Sequence, residues 1–393
     1  MRALITLAAL ALSTVAYVTA ETLPIGLLPQ IADGLGAGRS AVGLLVTAYG
    51  LVVVVFTIPL TRLTHRWPRR RLLGVLLLVF SLSTALSALA PNYPALLAAR
   101  VVTALSQAVF WAVVSPAAAA LFRPAVRGRA LSVLYSGTAI APLAGVPAGT
   151  WLGQQAGWRV PFAALAVLGL AILVAVHVLL PDVPAGQSDT DRGTAPDLVR
   201  YRVLLVTTAL VVTGAFTAFT YINPFLTEVS GFAESAVGPL LLVRGLAGLL
   251  GVVVSGFLVG RHAWLTMVAV VGGQSVALAA QFAFGPVPAA AVVATSLSSF
   301  SLAAMAAVLG VRTLEVAPGD TDLAGAGTST AFNVGITAGA LVGSALVAGV
   351  AVRSVALVGA VVAAAAFAVV VCEPVLVRAR QAAAPACPAA DRA

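Results

Sequence analysis

The sequence has no lysine, two cysteines, three histidines and 13 acidic residues among 393. Each scarcity excludes something. Without lysine, none of its glycine-rich segments completes a nucleotide phosphate loop, which argues against ATP-driven work by this chain. Cys372 and Cys387 stand near the C-terminus, where they build no disulfide framework, and their spacing is no metal motif. His65, His177 and His262 are scattered, so neither a metal-ligand cluster nor a Ser-His-Asp arrangement forms; His177 is expected to pack near the end of a helix. Charged residues make up 9% of the chain, against about 25% in soluble domains. Water is therefore not the main solvent of its surface.

What is present is oil-soluble. Hydrophobic residues make up 61%. Apolar runs recur at roughly 4–28, 41–62, 72–90, 95–122, 130–153, 159–180, 203–227, 236–259, 265–284, 287–312, 323–349 and 354–372. Each is long enough, at about 20 residues, to cross a hydrocarbon core. Strand alternation is not visible, so the expected fold class is all-α integral membrane, with twelve transmembrane helices. The first run resembles a signal peptide in carrying Val18-Thr19-Ala20, but it is long and eleven further runs follow.

The net charge of +9 is an arginine pattern, not a nucleic-acid footprint. With the N-terminus in the cytoplasm, seventeen of the 22 arginines fall in inward-facing segments. Arg39, Arg159 and Arg353 face outward, and Arg100 and Arg244 lie inside runs. That bias places both termini in the cytoplasm. The composition points to the cytoplasmic (inner) membrane of a bacterium and to a lipid bilayer as the chief surroundings; no nucleic-acid partner and a monomer are expected.

Internal repetition sets the domain plan. "SAVG" occurs at 40–43 and again at 235–238, an offset of 195 residues that also carries Thr61 to Gly256 and Arg66 to Arg261. The expected domains are a six-helix bundle over 1–180, a cytoplasmic linker over 181–202, a second six-helix bundle over 203–372 and a disordered cytoplasmic tail over 373–393. Two repeated six-helix halves meeting at a midplane site form a transporter plan.

The ionisable residues inside the runs are the site candidates. Glu21 stands about 10 Å inside the first run at 1.5 Å per residue. A carboxyl group that can be neutralised there suits a proton carrier; its structural alternative is a snorkelling or paired side chain. Arg100 and Arg244 lie at similar depth. Either backbone carbonyls satisfy them, or the cavity favours an anionic or hydroxyl-rich ligand. Arg100, Gln107 and Trp111 are spaced seven and four apart and share a helix face. Tyr221 and Asn223 form a polar patch beside Pro224, and Asn333 is a lone amide. These are candidate cavity residues, with helix–helix hydrogen bonding as the alternative. Small residues every fourth position, at Gly137, Ala141, Gly145, Gly149 and Gly153, and again at Ala331, Gly335, Gly339 and Gly343, make flat stripes for close helix approach. Pro142 and Pro147 can bend the first stripe. The loop "TRLTHRWPRRRLL" is a basic turn that anchors topology and could latch a conformation.

These segments resemble the major facilitator superfamily from about residue 10 to 372. The carriers are that basic loop with the helix before it, "RVVTALSQAVFWAVVSPAAA", "GTAIAPLAGVPAGTWLGQQAGWRVPF", "FTAFTYINPF" and "AFNVGITAGALVG". More narrowly, the chain resembles twelve-span drug:proton antiporters, closest to bacterial sugar efflux transporters. The resemblance implies two six-helix pseudo-repeats and export of a small organic solute, drug-like or sugar, in exchange for protons. It implies no cofactor beyond the proton gradient and no enzymatic activity. Arg100 matches the family's fourth-span arginine, while Gly137, Pro142 and Gly145 match its antiporter motif, with Ala141 and Val146 replacing glycines. Arg66, Arg69 and Arg70 keep the basic loop motif, whose usual Asp is His65 here. Glu21 resembles the drug exporters' acidic residue and is the expected proton-coupled group, with Arg100 tuning it. Gln107 and Asn223 stand where sugar exporters carry titratable residues. The alternative function is an uncoupled facilitator or importer of a small polar solute.

Overall fold

The computed structural model describes residues 2–37, 39–181 and 192–383. Among them, twelve helices are long and apolar enough to cross a membrane. We label them α1 (Arg2–Gly26), α2 (Arg39–Thr64), α3 (Arg69–Leu89), α4 (Tyr93–Ala120), α5 (Pro124–Ala156) and α6 (Arg159–Leu179). The second set is α7 (Leu198–Phe219), α8 (Glu234–Val259), α9 (Ala263–Phe284), α10 (Pro288–Val316), α11 (Thr321–Gly349) and α12 (Ser354–Val371). No strand occurs among the described residues, which hold one isolated bridge between Arg192 and Asp320. The fold class read from the sequence is thus observed.

Local chemistry sets the helix ends. Asn92 accepts a hydrogen bond from the Ala95 amide at 3.0 Å, capping α4. Asp197 caps α7 through the Val199 and Arg200 amides at 2.7 and 3.1 Å. Asp320 caps α11 in the same way. Each supplies an acceptor to amides that the first turn leaves open. Gly157, at φ 93°, makes the sharp turn from α5 to α6, a conformation that a Cβ would strain.

The packing inverts that of a soluble protein. Leu51, Leu89, Val167, Leu341 and Val361 are exposed on the outside, while Thr14, Ser83, Thr103, Gln107, Thr207 and Thr208 are buried. Many interior hydroxyls donate to the carbonyl one turn back, as Thr57 does to Val53 and Thr208 to Leu204. Such back-bonding satisfies a hydroxyl within its own helix where water is absent.

The two small-residue stripes do the same work in each set of six. Gly137, Gly145, Gly149 and Gly153 of α5 lie against Thr14, Thr19, Leu23 and Leu27 of α1 and its extension. Gly335 and Gly339 of α11 lie against Val212 and Phe216 of α7, and Gly343 against Tyr221 just beyond its end. At Gly137 an added Cβ would meet the Thr14 hydroxyl and stand 2.7 Å from the Ala11 carbonyl oxygen, which is backbone and cannot swing aside. Gly137→Ala is therefore expected to destabilise the protein by about 1–3 kcal/mol, the usual range for overpacking. Gly50→Ala meets nothing within 4 Å and is expected to be neutral or mildly stabilising. Melting of the two variants in detergent checks both.

Several segments differ from the sequence reading. Pro142 does not produce a simple bend: residues Ala141–Gly145 form a π-helical turn inside α5. Beyond the first apolar run, Leu28–Leu35 forms a short helix closed by Gly36 at φ 59°. Of the expected linker, residues 182–191 lie outside the described residues. Residues 194–197 pair with the end of α10, with the Thr194, Ala195 and Asp197 amides donating to the Leu314, Glu315 and Val316 carbonyls at 2.8–3.2 Å. The expected disordered tail begins as a helix, Glu373–Ala383. Its Glu373 is buried and accepts a hydrogen bond from Arg312, which also bonds Glu315 at 2.9 Å. Cys387 and the rest of the tail lie outside the described residues. His177, expected to pack, is exposed.

Candidate functional site

Three of the residues singled out in the sequence meet in the first set of helices. The Gln107 amide of α4 donates to Glu21 Oε2 of α1 at 2.8 Å. Tyr49 of α2 donates its hydroxyl to Gln107 Oε1 at 2.7 Å. The result is a chain, Tyr49–Gln107–Glu21, running across three helices. Glu21 is half-buried. Its Oε1 has no hydrogen-bond partner among the described residues and is not sealed from solvent.

Arg100 supports this chain without pairing with its carboxylate. Nη1 donates to the Ala20 carbonyl, and Nη2 to the Glu21 carbonyl at 3.0 Å. The guanidinium carbon sits 4.5 Å from the centre of the Tyr49 ring. Pro24 explains the first bond. Proline has no N–H, so the carbonyl four residues earlier, Ala20, loses its helical donor. In a membrane, a carbonyl freed in this way must be satisfied by a neighbouring helix. Arg100 does that and holds the Glu21 turn of α1 against α4.

The other predicted residues are spread out. Trp111 of α4 stacks on Tyr135 of α5, with centroids 6.2 Å apart and an interplanar angle of 3°, and Tyr135 bonds Ser115 at 2.7 Å. Tyr221 is half-buried and packs on Gly343. Asn223 is exposed, in the turn where α7 gives way to the short helical segments Ile222–Pro224 and Phe225–Val229. Asn333 donates to Ser329 of its own helix at 2.9 Å. Arg244 is buried on α8, donates to the Thr295 carbonyl at 3.3 Å and lies over Phe219. Sequence reasoning missed Tyr49, an uncharged aromatic in an apolar helix. The Pro24–Arg100 match was also missed, though a proline inside a long apolar run signals a carbonyl in need of a donor.

Call the end of the bundle where α1 begins and α12 ends the terminal face. The two sets of helices touch there. Gly128 lies against Val259, Gly256 against Ser132, Gly310 against Tyr135 and Gly325 against Ala112. Arg69 Nη2, at the start of α3, bridges to Asp322 Oδ1, at the start of α11, at 3.0 Å. The basic loop thus finds its carboxylate in the other half. Arg70 is half-buried nearby and Arg66 is exposed. A shielded charged hydrogen bond contributes roughly 1.5–3 kcal/mol. Arg69→Ala is therefore expected to shift the population away from this closed terminal face by about tenfold or more. The check is thiol labelling of Ser132→Cys in a chain otherwise freed of cysteine: slow beside the native Arg69, faster with Arg69→Ala.

Twelve apolar helices enclosing a carboxylate, two arginines and a polar relay define a polytopic α-helical membrane protein built around an interior polar site. The chain belongs to the Major Facilitator Superfamily, whose family profile matches residues 10–308. It is accordingly a transporter of small solutes and not an enzyme. Similar solved structures include the human organic anion transporter MFSD10 (TETRAN), 15% identical, TM-score 0.72, covering 94% of this chain and 98% of that one. The E. coli fucose:proton symporter FucP is 15% identical, TM-score 0.73, with 95% and 99% covered. A bacterial homologue of the iron transporter ferroportin, in an outward-facing state with soaked iron, is 16% identical, TM-score 0.73, with 93% and 98% covered. At these identities the likeness speaks for the fold.

Proposed function

We propose that the protein is a proton-coupled antiporter that exports a small organic solute by alternating access, within the drug:proton antiporter branch nearest the sugar efflux transporters. The observation that carries this reading is the Glu21 carboxylate: half-buried between helices, held by Gln107, free of any ion pair among the described residues and open at one oxygen. A proton arriving at Oε1 neutralises the only carboxylate in the α1–α4 contact. Charge in a low-dielectric site costs energy that the neutral form does not. Protonation therefore changes the relative stability of the inward and outward states, which is what coupling requires. Arg100 fixes the geometry through the backbone, so its tuning of Glu21 is mainly positional.

The terminal face is assigned to the cytoplasm by the arginine bias, and the membrane to the bacterial inner membrane. In that orientation the present state is closed inward by Arg69–Asp322 and by the small-residue contacts, and Glu21 takes its proton from outside. The two six-helix halves are the moving bodies, the residues joining them are the linker, and the working unit is a monomer in lipid. No cofactor beyond the proton gradient is required. The second reading, an uncoupled facilitator or importer, is favoured by Gln107 and Asn223, which leave the positions titratable in sugar exporters without titratable groups.

The test is a susceptibility screen in a pump-deficient bacterium, against lipophilic antibiotics and toxic sugar analogues, with Glu21→Gln alongside. Resistance that disappears in the variant supports proton-coupled export. Resistance kept in full by the variant, or sensitisation by the wild type, supports the second reading.

A further inference from the structure

Arg244 is a buried ionisable side chain that proton exchange leaves unused and, unlike buried Arg312, it has no carboxylate partner among the described residues. It differs from Arg100 in how its nitrogens are engaged. Arg100 gives both terminal nitrogens to carbonyls of α1 and leaves only Nε buried without a partner. Arg244 makes one bond, from Nε to the Thr295 carbonyl at 3.3 Å. Its Nη1 is buried without a partner. Its Nη2 has no partner among the described residues either, yet is not sealed from solvent. No acidic side chain lies within ion-pair distance among the described residues. A guanidinium stays charged and presents five donors, and Arg244 is only 5% exposed in an apolar helix. Burying an unpaired charge is costly, so the position calls for an anion.

The repeat sharpens the contrast. Shifting by 195 residues carries Tyr49 to Arg244 and Arg100 to Thr295. The second half therefore keeps the same contact between its second and fourth helices but moves the cation to the other partner. Thr295 needs no side-chain donor of the kind that Pro24 forces on Ala20, because α10 carries no proline beyond its first turn. Arg244 is thus free for a ligand in a way that Arg100 is not. It is also placed for one. The next residue, Gly245, abuts Leu143 in the π-helical turn of α5, in the opposite half. Phe219, 5.3 Å from the guanidinium carbon, is 41% exposed and precedes the turn holding Tyr221 and Asn223.

We propose that Arg244 receives the carboxylate of the transported solute, so that the substrate is an organic acid. Nη1 and Nη2 form the planar fork that matches two carboxylate oxygens, and Phe219 offers a face to the solute's body. The proposal rests on reading the protein as a solute exchanger, not on its coupling to protons.

The test is counterflow in proteoliposomes of the full chain at pH 7.5 on both sides, so that no proton gradient acts. Two matched pairs serve as probes: 4-aminohippurate with its amide, and glucuronate with glucose. The expected result is exchange of at least one acid at ten times or more the rate of its neutral partner. Arg244→Gln is expected to lower that exchange at least tenfold, and Arg244→Lys, which keeps the charge but not the fork, to fall between. Gel filtration of both variants confirms the folded protein. Equal rates for acid and neutral partner, an unaltered rate in folded Arg244→Gln, or no exchange of either acid overturns the proposal. Failure of proton coupling would instead leave acid counterflow intact and remove only its response to a pH gradient.

Discussion

Glu21→Gln is expected to abolish proton-driven accumulation of substrate while leaving substrate counterflow in place. Glutamine has the shape of the protonated carboxyl and keeps an oxygen to accept the Gln107 amide, so the Tyr49–Gln107 relay survives. What is lost is the ability to hold a proton in one state and release it in the other. The comparison is made on the same vesicles: uptake driven by a pH gradient falls to background, and exchange at uniform pH continues. Gln107→Ala separates geometry from chemistry. It removes one hydrogen bond to a charged group, worth about 1.5–3 kcal/mol, and is expected to slow coupled transport by roughly ten- to a hundredfold without abolishing it.

The second large effect is at Arg100. Arg100→Ala strips donors from the Ala20 and Glu21 carbonyls together. At about 1.5–3 kcal/mol for each charged hydrogen bond, the loss is a large fraction of the 5–15 kcal/mol that typically holds a folded domain. Folded yield and transport are both expected to collapse. If the role is the one Pro24 creates, Pro24→Ala restores the N–H that Ala20 lacks. The double variant should then melt at a higher temperature than Arg100→Ala alone. A double variant no more stable than the single would place the function of Arg100 elsewhere, in its contact with Tyr49 or in the charge itself.

Much of this site is legible in the sequence for one physical reason. Glu21, Arg100, Arg244 and Gln107 stand out because each is expensive in an apolar helix and must have a cause. The small-residue stripes are legible by their period of four. That they hold α5 on α1 and α11 on α7 is not, since a flat face does not name its partner. Tyr49 carries no cost signal among apolar neighbours, so its place in the relay emerges only when α2 and α4 are adjacent. The same holds for Asp322, whose cation lies 253 positions away in the other half. The helix after α12 and the segment 194–197 look like tail and linker because their structure is tertiary in origin. One is fixed by burial of Glu373 on Arg312, the other by carbonyls at the end of α10.

The central claim is exchange of solute for protons through Glu21. It is tested most directly by a pH-sensitive dye inside inside-out vesicles holding an acidified lumen, with substrate added outside. The account predicts that substrate entry makes the lumen more alkaline as protons leave, in proportion to the protein present, and that Glu21→Gln gives no pH response while still exchanging substrate. Substrate entry with no proton movement in the wild type, or an undiminished proton response in Glu21→Gln, would contradict it.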